Sequence, residues 1–170
     1  VAAREAGDYE VALAALQAAV AQGDMRAAMV LGEMLEAGQG TYQNPRGACG
    51  YYLRAAESGN PQAQFRTAEC YRDAWLYGDG GNARTWYERA AAGGIPAAFC
   101  ELGKMVANGV DGEPDPEAGY DFCLRGARAG DPEAMDRIGY WLSHGEGVAR
   151  DLEQSYLWWT RAADAGHIGA

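Results

Sequence analysis

Residues 131–166 read DPEAMDRIGYWLSHGEGVARDLEQSYLWWTRAADAG, and they hold two helices and two stops. Asp131-Pro132 opens the first helix. The aspartate caps free N–H groups, and proline at the first helical position gives up an N–H that has no partner there. Ala134, Ile138 and Leu142 recur every four residues, which places them in one stripe of a helix. Gly145-Glu146-Gly147 interrupts it. The second helix begins after Asp151 and carries Ser155, Trp158, Trp159 and Ala162 at helical spacing. It stops at Gly166, which suits a left-handed C-terminal turn.

Gly166 also serves as a ruler for the rest of the chain. Gly23, Gly59, Gly94, Gly130 and Gly166 are spaced by 36, 35, 36 and 36 residues. Four past each glycine stand Ala27, Ala63, Ala98, Ala134 and Ala170. Eight past stand Leu31, Thr67, Leu102 and Ile138; nine past, Gly32, Ala68, Gly103 and Gly139. Fifteen before are Asp8, Asn44, Asp79, Asp115 and Asp151, all cap-type residues. Eleven before are the small residues Ala12, Ala48, Ala83, Gly119 and Ser155. Tyr51, Trp86, Phe122 and Trp158 stand eight before. A fixed period of this length is the signature of a solenoid, whose units bury their apolar faces only by stacking.

These residues resemble the Sel1-like repeat, a relative of the tetratricopeptide repeat. The resemblance rests on Ala134, Ile138-Gly139, Gly145-Glu146-Gly147-Val148, Asp151, Trp158-Trp159, Ala162-Ala163 and Gly166, and it recurs over nearly the whole chain. Departures are local. Thr67-Ala68 replaces the Leu-Gly pair in the second unit, whose loop Gly78-Asp79-Gly80-Gly81 is displaced towards the second helix. Cys123 stands where the second aromatic is expected, and Gly126 replaces the first Ala of the Ala-Ala pair. The resemblance implies an all-α fold: an α-solenoid, a right-handed superhelix of paired helices that binds other proteins.

The boundaries follow from the ruler. A half-unit occupies 1–23, with Val1–Ala6 as the remnant of an earlier helix. Full units occupy 24–59, 60–94, 95–130 and 131–166, and 167–170 begin another. Expected helices span about 24–37, 45–57, 61–76, 80–92, 96–108 and 116–128 before the opening stretch. Val1 is not a start residue, so the chain reads as part of a longer array. It forms a single repeat array without linkers, and each helix alone is marginal in water.

Hydrophobic residues make up 48% of the chain, enough for a continuous core, and the formal charge is -10. That charge opposes nucleic-acid binding, which rests on Lys/Arg neutralisation of phosphates, and opposes an anionic membrane surface. It suits solubility, and the chain is expected to be monomeric. No apolar run approaches a membrane span. The composition looks bacterial, and with the family's known roles it favours periplasm or cell envelope over cytoplasm.

On a wheel of about 100° per residue, positions four, eight and twelve past the glycine form the buried stripe of each first helix. Positions three, six, ten and fourteen lie opposite. They hold Arg26, Met29, Glu33 and Ala37; Gln62, Phe65, Glu69 and Asp73; Ala97, Cys100, Lys104 and Asn108; Glu133, Asp136, Tyr140 and His144. The resemblance makes this face the concave surface. Met29, Phe65 and Tyr140 are candidate apolar anchors for a peptide or partner helix. Glu33, Glu69 and Lys104 set charge complementarity, with Arg66 at the edge. The competing reading is that the apolar residues pack on neighbouring helices. Arg54, Arg89, Arg125 and Arg161 recur five before each glycine. They form a basic stripe, or their stems cover apolar surface.

Cys49 and Cys70 stand 10 before and 11 after Gly59, at matching heights on antiparallel helices; Cys100 and Cys123 flank the third unit's loop similarly. They are possible disulfides in an oxidising compartment, or buried free thiols. The resembled family has a cysteine-rich branch, but Ala55-Ala56 and Gln64 depart from its arrangement. No metal site is expected: there is no CxxC or HExxH, and the two histidines, His144 and His167, fall in different units. No catalytic residue stands out, since there is no G-x-S-x-G or S-x-x-K and the carboxylates recur as caps. No cofactor is called for. The sequence therefore points to a protein-interaction scaffold or adaptor that is not an enzyme. The alternatives are a spacer within a longer protein, or a hydrolase of cell-wall or β-lactam-type substrates, a label some relatives carry.

Overall fold

The computed structural model describes residues 8–73, 80–110 and 112–167. These residues are all α, in nine helices: α1 (Tyr9–Ala21), α2 (Met25–Ala37), α3 (Pro45–Glu57), α4 (Pro61–Arg72), α5 (Gly80–Ala92), α6 (Pro96–Ala107), α7 (Pro116–Arg128), α8 (Pro132–His144) and α9 (Leu152–Asp164). The continuation of α4 to residue 76, the Asp79 cap, the remnant at 1–6, Asp111 and Ala170 lie outside the described residues.

The period is built by two kinds of hydrogen bond. At helix starts, Asp8, Asp24, Asn44, Asn60, Asp115, Asp131 and Asp151 each accept backbone N–H groups two or three residues ahead. Such a cap stabilises a helix by about 1 kcal/mol. The start of α6 differs, because Ile95 has no side chain to give and only Pro96 assists. At helix ends, the five ruler glycines have φ from +88° to +97°, a left-handed turn that β-carbons disfavour. The residue after each glycine donates its N–H to a carbonyl five residues back: Asp24 to Ala19, Asn60 to Ala55, Ile95 to Ala90, Asp131 to Gly126 and His167 to Ala162. This closes orphan carbonyls at each helix end.

The chain divides into two compact units, Val1–Trp86 and Tyr87–Ala170. In the first, α1 packs on α2, α2 on α3 and α3 on α4. Its interior holds Leu31, Met34, Tyr52 and Thr67, all fully buried. In the second, α6, α7, α8 and α9 pack in succession around Cys100, Cys123, Ala127, Ile138, Trp141 and Leu142. Burying Leu31 or Ile138 contributes roughly 1.5–3 kcal/mol each. Ala27, Ala63, Ala98 and Ala134 are at most 6% exposed, so the four-past position is buried in all four repeats.

Candidate interaction surface

The first-type helices α2, α4, α6 and α8 supply the residues singled out for recognition. In α2 and α8 the positions four, eight and nine past the glycine are buried, while those three, ten and fourteen past are exposed. The six-past position behaves differently. Met29 is half-buried against a cluster of Ala48, Cys49, Tyr52 and Cys70. Cys100 is 4% exposed and belongs to the core, not to the open face where the wheel places it. In α2 and α6 the six-past side chain turns to the adjoining second-type helix, so the accessible arc of these helices is narrower than the wheel expects.

In the first unit, α2, α3 and α4 bring together a polar knot. The Tyr52 hydroxyl, on a residue 1% exposed, donates to Glu36 Oε2 at 2.8 Å. The Arg66 guanidinium pairs with Glu36 and with Glu69 Oε2 at 2.7 Å, and its Cζ lies 5.3 Å from the Tyr52 ring centroid. Burial, then the bond to Glu36, pushes the Tyr52 phenol well above its ordinary value. Burial opposes the charge on Arg66, but its contacts with Tyr52, Glu69 and Glu36 outweigh that, so the guanidinium stays charged. Arg66 and Glu69 thus spend much of their charge on each other. The small cleft beside them, about 80 Å³, is lined by this knot and by Cys49 and Cys70. Glu33 is exposed and Phe65 half-buried. The Arg66–Glu69 pair is legible at a three-residue helical spacing. Glu36 and Tyr52 are not, since they reach Arg66 from other helices.

The structure bonds Cys49 to Cys70, with Cα atoms 5.8 Å apart, and Cys100 to Cys123, at 3.8 Å. The first pair joins α3 to α4, a second-type helix to the next first-type helix. The second joins α6 to α7 within one repeat. That close approach depends on glycine: a β-carbon on Gly103 would fall 2.5 Å from the Gly119 carbonyl oxygen.

In the second unit, Lys104 pairs with Glu101 and reaches Glu133 Oε1 at 3.5 Å. Tyr140 is 38% exposed, and its ring stacks on His144 with centroids 4.1 Å apart and planes 25° apart. Arg137 Cζ lies 5.7 Å from the Tyr140 centroid. A cleft of about 690 Å³ opens here between α6 and α8, lined among others by Lys104, Asn108, Arg137, Tyr140 and Trp141. The sequence reading names Lys104 and Tyr140 but not Arg137, which stands seven past Gly130, between the two stripes.

Two of the recurring arginines, Arg125 and Arg161, lie on aromatic rings. Arg125 Cζ sits 4.5 Å from the Phe99 centroid and 5.7 Å from that of Phe122, and Arg161 Cζ sits 4.7 Å from that of Trp158. Arg54 donates to the Val20 carbonyl at 3.5 Å. Among the described residues, no group of three or more His, Cys, Asp or Glu is placed to hold a metal, and no helix is long and apolar enough to cross a membrane.

Paired helices at this period, closed by side-chain caps and left-handed glycines, define an α-solenoid of helix-turn-helix repeats. The chain belongs to the Sel1 repeat family, whose repeat model matches residues 26–60, 61–95, 96–131 and 132–167. It is similar to the crystal structure of a Sel1 repeat protein from Oxalobacter formigenes, with a TM-score of 0.84, 26% identity, and coverage of 97% of this chain and 68% of that one. It is 28% identical over 116 residues to the chitin synthase regulator SKT5 of Saccharomyces cerevisiae, covering 66% of this chain and 17% of the regulator. It is 31% identical over 112 residues to chitin synthase regulatory factor 3 of Schizosaccharomyces pombe, covering 64% of this chain and 12% of that protein. The chain thus spans less than a fifth of the length of either fungal relative. Sel1 repeat proteins generally act as protein-interaction scaffolds, and the family is typically non-enzymatic.

Proposed function

We propose that this chain is a scaffold that holds a protein partner on the open face of its first-type helices. The observation that carries the reading is the division of labour within those helices. Positions four, eight and nine past the ruler glycine are buried in α2 and α8, while Arg26 and Glu33 stand exposed on α2, and Glu133 and Tyr140 on α8. A face with both charge and an aromatic ring offers an anchor and a polar rim, the two parts of a protein interface. The fungal relatives are named as regulators of chitin synthase, which supports action through another protein. Glu33 and Phe65 would contribute in the first unit, Lys104 and Tyr140 in the second. Met29, Arg66 and Glu69 would act as the support beneath them.

The test is co-purification from the cells that make the protein, comparing the native chain with a Glu33→Lys, Tyr140→Ala double variant. Both side chains are exposed, so the fold should survive, as circular dichroism will show. A partner depleted at least tenfold by the variant supports the reading. A partner held equally by both moves the interface to another face. Failure to hold any partner favours a spacer.

A further inference from the structure

We propose that the cleft between α6 and α8 receives an acidic side chain of a partner's peptide segment, with Arg137 as its anion anchor and Tyr140 and Trp141 holding the neighbouring apolar side chain. This rests on the scaffold reading and names the chemistry of one contact within it. The cleft's volume, about 690 Å³, falls within the range of about 300–1,000 Å³ typical of ligand sites. The first unit's cleft, about 80 Å³, is already occupied by the charges of Arg66, Glu36 and Glu69.

Lys104, Asn108 and Arg137 line the larger cleft with Tyr140 and Trp141, and the commitments of the first three differ. Lys104 is taken by Glu101 and Glu133. The Asn108 side chain is exposed. Arg137 makes no ion pair among the described residues; its guanidinium is set only against the Tyr140 ring. In a chain with 24 acidic and 14 basic residues, a cleft-lining cation without a carboxylate is the group to be explained. Arg125 also lies on rings, but the other residues lining its pocket bring no second donor. Arg137 has Asn108 in the same lining, and a guanidinium and an amide both offer N–H donors to carboxylate oxygens.

The local charge selects the anion. Glu146 also lines the cleft, and Glu101 and Glu133 already neutralise Lys104. Arg137 is the lining cation that pairs with no carboxylate among the described residues, and a carboxylate, with its single charge, is the anion those acidic neighbours oppose least. A phosphate, carrying nearly two charges, would meet those acidic residues as well. The apolar component is prepared too. The Tyr140 ring is held by its stack on His144, and Trp141, 6% exposed, forms part of the wall. An ordered aromatic platform costs little entropy to use.

The experiment is selection of a displayed random heptapeptide library on the intact chain, followed by titration of the winners as acetylated, amidated peptides. The proposal expects enrichment of Asp or Glu beside apolar residues. It expects at least tenfold weaker binding with Arg137→Gln, partial recovery with Arg137→Lys, and weaker binding when the peptide's acid is replaced by its amide. Affinity should fall as salt rises. Four results would overturn it: no enriched peptide, binding indifferent to Arg137→Gln in a variant with native circular dichroism, equal binding of neutral or phosphorylated peptides, or binding that requires a free C-terminal carboxylate. If these occur while the co-purified partner survives, the cleft assignment fails and the scaffold reading stands. If that partner is absent, the scaffold reading fails on its own experiment.

Discussion

Gly139 lies directly beneath the indole of Trp159: a β-carbon there would stand 2.6 Å from the ring nitrogen. The same relationship stands three repeats earlier, where a β-carbon on Gly32 would stand 2.5 Å from Cε1 of Tyr52. Glycine nine past the ruler therefore makes room for the aromatic seven before the next one. In the third repeat the aromatic is replaced by Cys123, and the backbones themselves close the gap.

This difference predicts unequal costs for one substitution. Trp159 is 38% exposed and its ring can yield, whereas at Gly103 the obstacle is the Gly119 carbonyl. Gly139→Ala should change stability by under about 1 kcal/mol, with helix propensity offsetting the crowding. Gly103→Ala should destabilise by about 2–3 kcal/mol, as overpacking does. Urea denaturation of the two variants checks the order; equal costs would contradict it.

Thr67 occupies the position filled by Leu31, Leu102 and Ile138 in other repeats, and it is fully buried. Its hydroxyl has no hydrogen-bond partner among the described residues. Thr67→Val keeps the shape and removes the unsatisfied group, so it should stabilise by about 1 kcal/mol. Thermal melting would show the midpoint rising; a fall would mean the hydroxyl has a use.

Tyr52 gives the fold a pH dependence. Burial and the bond to Glu36 raise its folded pKa, while the unfolded phenol ionises near pH 10. The unfolded chain therefore releases this proton first as pH rises, and stability falls from about pH 10 upwards. Tyr52→Phe should cost about 1 kcal/mol at neutral pH, where the hydrogen bond is lost, and less in alkali. Denaturation midpoints at neutral and alkaline pH measure this; parallel curves for the two proteins would contradict it.

The cysteine pairs close loops of 21 and 23 residues in sequence separation. Loop closure of that size is worth roughly 3 kcal/mol per bond. Non-reducing peptide mapping should recover Cys49 with Cys70 and Cys100 with Cys123, and reduction should lower the melting temperature by several degrees. Four titratable thiols in the unfolded, unreduced protein would contradict the pairing.

Periodic features were the most legible ones. Asn44 and Asp151 announce helix starts, and their side chains accept from Gly47 and Gln154 at 2.9 Å. Such bonds are local, so spacing alone specifies them. The open face was legible only to within a few tens of degrees, because a wheel cannot say which neighbour a side chain at its edge will meet. Met29 and Cys100 fall at that edge and turn inward. Glu36 meets Arg66 across 30 residues, and Arg137 gains its cleft only when α6 and α8 lie side by side; neither follows from spacing within one helix.

The most direct test of the scaffold reading is hydrogen exchange on the chain with and without its co-purified partner. The account predicts added protection concentrated in α2, α4, α6 and α8, with Tyr140 and its neighbours among the most affected. Protection confined to the second-type helices α1, α3, α5, α7 and α9, or no partner-dependent protection anywhere, would contradict it.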